Sequence, residues 1–131
     1  MINIKSSFLN CLSPDEILSL SYPDLLKEEQ DFCITVNGNM FFEQPLFPIL
    51  EFLHSYLKWK ISLNSKKKFS KQKHDFYYNS IETEDNPLIS FKKDKSGWKL
   101  DSPWKNFECE DVFLLEDFIC ACDKLISQTT D

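Results

Sequence analysis

The sequence predicts an α+β fold, in which an antiparallel sheet made of a hairpin and a three-stranded meander packs against a long central helix and a C-terminal helix. The hairpin is predicted by Asn37-Gly38, a two-residue turn sequence between two apolar runs. The meander is predicted by turn sequences that divide residues 75–100 into short strands. Apolar residues at helical spacing after positions 46 and 111 predict the helices. At 131 residues, the chain is expected to form one domain, residues 1–131.

Short elements are predicted in the N-terminal part. Residues 3–9 fit either a short first strand or an unstructured lead-in. Ser13-Pro14-Asp15-Glu16 predicts a helix start, because Ser13 can cap the helix, Pro14 suits its first turn and Glu16 completes a capping box. Pro23 must end that helix early, and residues 21–29 can add a further turn or two.

Residues 31–44 form the predicted hairpin, and residues 46–63 form the predicted central helix. Phe32, Ile34 and Val36 alternate with other residues before the turn, and an apolar run returns after it. In the helical segment apolar residues recur at the spacing of one helix face: Ile49, Leu50, Leu53, Tyr56, Leu57 and Ile61.

A polar, lysine-rich connection over residues 64–74 leads into the meander. Its strands are predicted at residues 75–81, 88–92 and 98–100. Asp111 is expected to cap the C-terminal helix. The apolar stripe of that helix comprises Leu115, Phe118, Ile119, Cys122 and Ile126.

Charge is distributed unevenly along the chain. The net charge is −6, and every basic residue is a lysine, because the sequence contains no arginine. Residues 58–73 carry seven lysines and no acidic residue, whereas the remainder of the chain is net acidic. An acidic surface attracts basic proteins and repels nucleic acid. The absence of arginine also removes the bidentate fork that most phosphate-reading and base-reading sites use.

Few residues are suited to catalysis or to cofactor binding. There are two histidines, His54 and His74, and two glycines, which excludes phosphate-cradling glycine loops. The sequence has no C-x-x-C or H-x-x-x-H spacing for a metal, and its five cysteines fit no disulfide framework. We therefore expect no catalytic residue, no metal, no cofactor and no enzymatic activity.

Clustered carboxylates are the one remaining signal that resembles an active site. They form two groups: Glu82, Glu84 and Asp85 in one turn, and Glu108, Glu110 and Asp111 before the last helix. A glycosidase would hold such carboxylates across a deep cleft, which this short chain does not predict. Acidic side chains beside exposed aromatic residues can instead imitate a nucleic-acid backbone and capture a basic protein. Tyr77, Tyr78 and Trp104 are the expected exposed aromatic residues.

The lysine-rich segment 58–73 supports an alternative function. It includes Trp59 and Phe69 among its lysines, and basic residues interleaved with aromatic ones can bind single-stranded nucleic acid. A solvated connection with a favourable charge at the end of a helix explains the same residues. Because the flanking segments are acidic, a nucleic-acid partner is the alternative and not the leading hypothesis.

Targeting signals are not found in the sequence. Residues 1–10 lack a positively charged region followed by an apolar run, so no signal peptide is expected. No apolar stretch approaches the roughly 20 residues that a membrane-spanning helix needs. We expect a cytoplasmic protein that does not bind membranes.

Two stretches of the chain resemble small bacterial immunity proteins of polymorphic-toxin and contact-dependent growth-inhibition systems. The first comprises residues 42–53 (FEQPLFPILEFL) with Trp59. The second comprises residues 78–91 (YNSIETEDNPLISF) with Trp98 and Ser102-Pro103-Trp104. The resemblance spans roughly residues 31–126. It implies a cytoplasmic protein that binds and neutralises one cognate toxin domain, often a nuclease.

The leading hypothesis is therefore an immunity protein that occludes the active site or the substrate groove of a basic toxin domain. Binding is expected to use acidic and aromatic side chains, without covalent chemistry. The predicted partner-binding residues are Glu82, Glu84, Asp85, Glu108, Glu110, Asp111, Tyr78 and Trp104.

Overall fold

The computed structural model describes residues 1–8, 10–63 and 75–127. Within those ranges the fold is mixed α/β, with two three-stranded antiparallel sheets and three α-helices, which confirms the predicted combination of helices with antiparallel strands. The elements are β1 (Ile2–Ser6), α1 (Pro14–Leu18), a 3₁₀ turn (Asp24–Leu26), β2 (Glu29–Val36), β3 (Asn39–Pro48), α2 (Ile49–Leu63), β4 (Phe76–Tyr78), β5 (Ile89–Asp94), β6 (Gly97–Asp101) and α3 (Leu115–Ile126).

Sheet 1 has the strand order β1-β2-β3. Asn37 and Gly38 join β2 to β3 with φ angles of 51° and 85°, the left-handed pair that a type I′ turn requires. Side chains alternate across the sheet, so one face packs on the core and the other faces outward. One row of directly opposed residues is fully or almost fully buried: Ile4, Ile34 and Phe42.

Sheet 2 has the order β4-β5-β6, and its buried row is Phe76, Phe91 and Leu100. The prediction grouped all strands into one antiparallel sheet, whereas the described strands form two. The physical reason lies in the connections. The chain passes from β3 directly into α2, while β1 pairs with the free side of β2 and completes sheet 1. Helix α2 then contacts β2 of sheet 1 and β4 of sheet 2.

The helix starts follow local hydrogen bonds. Ser13 Oγ accepts from the backbone N–H of Glu16 at 3.2 Å, and Glu16 Oε1 accepts from the N–H of Ser13 at 3.0 Å, so the predicted capping box is present. The predicted cap of the last helix is wrong. Helix α3 begins at Leu115, where Asp117 Oδ2 accepts from the N–H of Leu114 at 2.9 Å.

Asp111 lies before α3 because the intervening backbone is extended. Phe113 forms a β-bridge with Trp98, with N–H to carbonyl distances of 2.8 and 3.1 Å. A residue held in such a ladder cannot adopt helical angles, so the helix starts only after it. The Asp111 carboxylate instead accepts from Asn37 Nδ2 at 3.0 Å.

Aromatic rings connect the two sheets through α2. Phe52 of α2 lies 5.2 Å from Phe32 of sheet 1 and 6.0 Å from Phe76 of sheet 2, measured between ring centroids. Phe91 of sheet 2 stacks on Phe118 of α3 at 4.6 Å. Offset and edge-to-face aromatic pairs of this kind each add to the free energy gained by burying their area. The core is therefore continuous from sheet 1 to α3.

Only part of the lysine-rich segment 58–73 lies within the described residues. Its first residues form the end of α2, where Lys60 pairs with Asp123 of α3 at 2.9 Å. Residues 64–73, which carry the other lysines of that segment, lie outside the described residues. Across the described ranges, no helix has the length and apolar character that crossing a membrane demands.

Candidate partner-binding surface

The loop between β4 and β5, residues 79–88, carries three of the predicted binding residues and is here called the acidic loop. Glu82, Glu84 and Asp85 are all exposed in it. Trp104 lies beside the loop, because its Nε1–H donates to Asp85 Oδ2 at 2.8 Å. The Trp104 ring is parallel to that of Phe42, with centroids 6.4 Å apart, and remains 37% exposed. Four predicted residues therefore lie on one surface.

Asn86 holds the acidic loop closed. Its Oδ1 accepts from the N–H of Ser80 at 2.9 Å, and its Nδ2 donates to the carbonyls of Ser80 and Thr83 at 2.9 and 2.7 Å. At the base of the loop, the N–H of Leu88 donates to the carbonyl of Tyr78 at 2.8 Å. The backbone that carries the carboxylates is consequently ordered by several hydrogen bonds.

Tyr78 was predicted to be an exposed anchor, and that prediction is wrong. Its side chain has 0% relative exposure, and its hydroxyl donates to Glu51 Oε1 at 2.7 Å. Successive strand residues face opposite sides, so Phe76 and Tyr78 point into the core while Tyr77 is exposed. Tyr78 cannot contact a partner without unfolding β4.

Glu51 is the residue of this region that sequence reasoning missed. It lies in the first turn of α2 and is only 2% exposed. Besides the Tyr78 hydroxyl, its carboxylate accepts from the Tyr22 hydroxyl and, at 3.2 Å, from the N–H of Ile81 in the acidic loop. The signal in the sequence was a lone acidic residue inside the apolar run of residues 49–53. A carboxylate there must be buried with donors around it.

Burial and clustered carboxylates alter the titration of this surface. The pKa of Glu82 is raised by partial burial and by the nearby Glu29 and Glu51 carboxylates. Burial, together with the hydrogen bond to Glu51, raises the pKa of Tyr22 to about 12 and also raises the pKa of Tyr78. A carboxylate whose pKa is raised by other carboxylates marks a site of negative potential.

Exposed apolar side chains lie beside these charges. Ile81 is 66% exposed and is followed directly by Glu82. Trp104, whose ring nitrogen donates to Asp85, is 37% exposed. Large exposed apolar side chains next to charged ones are typical of interaction surfaces.

The second predicted group does not share one environment with the acidic loop. Glu108 pairs with Lys105 at 3.2 Å, and Asp111 accepts from Asn37 at the hairpin turn. Glu108 and Glu110 line an open groove of about 680 Å³ over the outer face of sheet 2. That groove also contains three lysines, Lys92, Lys93 and Lys99, so its charge is mixed. The acidic loop is therefore the stronger candidate.

A metal site or a catalytic histidine would be the alternative to a binding surface. Within the described ranges, no group of three or more His, Cys, Asp or Glu side chains is placed to hold a metal ion. His54 is half-buried, and burial together with Lys58 lowers its pKa. His74 lies outside the described residues.

Comparison with known proteins gives a family but no activity. No curated protein and no solved structure matches the chain. One protein family matches residues 8–130, which include every element after β1 and the whole candidate surface. The chain therefore belongs to the family described as Domain of unknown function (DUF7878).

Proposed function

We propose that this chain is a binding protein that captures a basic protein domain on its acidic loop, and that this partner is the toxin of a bacterial toxin–immunity pair. The observation that carries the proposal is the surface itself, an ordered loop with three exposed carboxylates beside Trp104 and the exposed Ile81. The immunity role comes from the resemblance of residues 42–53 and 78–91 to small immunity proteins.

A protein partner fits this surface better than a nucleic acid or a small molecule. Three carboxylates repel a polyanion, whereas they attract lysine and arginine side chains. Ile81 and Trp104 supply apolar area, which a partner protein can cover and which a simple cation cannot use. The expected partner surface is an apolar patch surrounded by basic residues.

Inhibition would follow from occlusion. Nucleases bind their substrate through basic grooves, because phosphate contacts dominate nucleic-acid affinity. A protein that places carboxylates in such a groove excludes the substrate without any chemical step. In this proposal the protein acts in the cytoplasm, is not an enzyme, and needs no cofactor. Glu108, Glu110 and Asp111 would contribute less to binding, since Glu108 and Asp111 already have partners within the chain.

Co-expression tests this function. The chain should be produced together with the toxin domain encoded by the adjacent gene, with growth and co-purification as readouts. Rescue of growth together with a stable complex is the expected result. If the neighbouring product is toxic alone and the chain neither rescues growth nor binds it, the immunity proposal is wrong.

A further inference from the structure

We infer that Glu51 is a positioning residue whose buried carboxylate fixes the backbone of the acidic loop. The importance of that backbone for binding rests on the function proposed above. The assignment of Glu51 to the loop rests on the structure alone. Glu51 lies on α2, thirty positions before Ile81 of the acidic loop.

The Glu51 side chain accepts hydrogen bonds from three separate segments of the chain. Glu51 Oε1 accepts from Tyr78 of β4 at 2.7 Å, and Oε2 accepts from the N–H of Ile81 at 3.2 Å. Oε2 also accepts from the hydroxyl of Tyr22, which lies just before the 3₁₀ turn. A carboxylate is an acceptor only, and each oxygen here has at least one donor.

Simple packing does not require a carboxylate at this position. Its neighbours Leu50 and Phe52 are buried apolar residues, and an apolar side chain would be buried there without desolvating a charge. A carboxylate differs from an apolar side chain because it accepts a hydrogen bond from the N–H of one particular loop residue, Ile81, and so fixes the position of that residue. Glu51 thus specifies where the loop lies more than it contributes to the stability of the core.

The Ile81 bond lies next to the residues that would contact the partner. With its N–H directed to the buried carboxylate, Ile81 presents its side chain to solvent, and Glu82 follows directly. Trp104 holds Asp85 farther along the loop, and Asn86 closes it. A loop held in its binding conformation loses less entropy when a partner binds.

Hydrogen exchange of the free protein tests this assignment without any partner. In the double variant Glu51→Leu with Tyr78→Phe, both ends of the buried bond are removed together, so that no buried hydroxyl is left unsatisfied. We expect the Ile81 amide to exchange about tenfold faster in this variant. The exchange rates of core amides such as that of Ile34 should change only as far as the free energy of global unfolding changes. Tyr78→Phe is the matched control, because it keeps the bond from Ile81 to Glu51.

Conservative replacement provides a second readout. Glu51→Gln retains one side-chain carbonyl that can accept from Ile81, so the amide should stay within about threefold of the parent exchange rate. Tyr22→Phe removes the outer donor and should also leave the amide protected. If Ile81 exchanges at the parent rate in the double variant, or equally fast in all variants, the assignment of Glu51 to the loop is overturned.

Binding measurements separate this inference from the proposed function. With the adjacent gene's toxin domain, the double variant is expected to dissociate about tenfold faster, because the loop must be ordered on binding. Faster exchange at Ile81 without any change in binding would leave the Glu51 assignment standing and would overturn the acidic loop as the binding surface.

Discussion

Gly97, at the start of β6, occupies a position where no side chain fits. Its φ is +136°, and a Cβ atom would lie 2.4 Å from Val112 Cγ1. Gly97 also precedes Trp98, whose bridge to Phe113 holds the segment before α3. The extended segment before α3, which contains Val112 and Phe113, therefore lies very close to β6. Only glycine at position 97 leaves room for this approach.

Gly97→Ala should destabilise the protein by about 2–3 kcal/mol, through the unfavourable φ and the clash with Val112. Urea denaturation monitored by tryptophan fluorescence measures the change. Gly38→Ala is the matched control, because Gly38 also has positive φ, at +85°, but its Cβ would meet nothing within 4 Å. That control should cost about 1 kcal/mol. Equal costs for the two variants would show that Val112 does not limit the space at Gly97.

Some single residues could be assigned from the sequence and others could not. Asn37-Gly38 and Ser13 with Glu16 act through bonds within four positions, so a local pattern is sufficient. The burial of Tyr78 depends on which face of β4 packs on α2. Since residues 76–78 are all aromatic, alternation of apolar and polar residues could not indicate that face.

The same distinction explains which elements were predicted. The elements with their own local signals are present, but their bounds differ from the prediction: residues 46–48 end β3 and do not begin the central helix, and the strand predicted at residues 75–81 is only Phe76–Tyr78. The division into two sheets and the late start of α3 depend on contacts between distant segments, the pairing of β1 with β2 and the bridge between Trp98 and Phe113. The candidate surface was predicted in part for this reason. Its carboxylates lie in local turns, whereas Glu51 contacts the loop only in the folded chain.

Two buried tyrosine hydroxyls link α2 to its neighbours. Tyr56 of α2 donates to Asp123 of α3 at 2.7 Å, and Tyr78 of β4 donates to Glu51 of α2 at 2.7 Å. Burial is the main cause that raises the pKa of both hydroxyls. The nearby Cys122 adds to the shift of Tyr56, and the hydrogen bond to Glu51 adds to the shift of Tyr78. Both links therefore require neutral tyrosine.

Stability should consequently decrease at alkaline pH. Below the unfolded pKa of 10.0 both hydroxyls are neutral in either state. Above it only the unfolded chain ionises, so each tyrosine lowers the free energy of unfolding by about 1.4 kcal/mol per pH unit until its folded pKa is reached. Urea denaturation between about pH 8 and about pH 11 measures this slope.

Tyr56→Phe is the control for the alkaline transition. It removes one of the tyrosines whose folded pKa is raised, a set that also includes Tyr22 and Tyr78, so its slope above about pH 10 should be smaller by about 1.4 kcal/mol per pH unit. If parent and variant lose stability in parallel, the hydroxyl of Tyr56 titrates freely in the folded protein and the link between α2 and α3 does not depend on it.

The whole molecule combines an aromatic core with a sequence that carries charge of both signs. Its net charge is −6, although the lysine-rich segment 58–73 is strongly basic. Several described lysines pair with acidic residues, among them Lys60 with Asp123 and Lys105 with Glu108. By contrast, no lysine pairs with the Glu82, Glu84 or Asp85 carboxylates among the described residues, so the acidic loop keeps its charge available for a partner.

In the proposed function this loop, and not the overall acidity of the chain, captures the partner. The decisive measurement is the association rate and affinity for the adjacent gene's toxin domain, at low and at high salt, for two charge-reversal variants. The first variant reverses the loop: Glu82→Lys, Glu84→Lys and Asp85→Lys. The second changes the net charge equally at acidic residues outside the acidic loop: Asp31→Lys, Glu43→Lys and Glu116→Lys.

Reversal of the loop should slow association more than about tenfold at low salt and weaken affinity further, because attraction becomes repulsion at the contact itself. The second variant should remain within about threefold of the parent, since charges away from a contact are largely screened. If both variants lose the same affinity, or if the loop variant binds as tightly as the parent, the acidic loop is not the binding site.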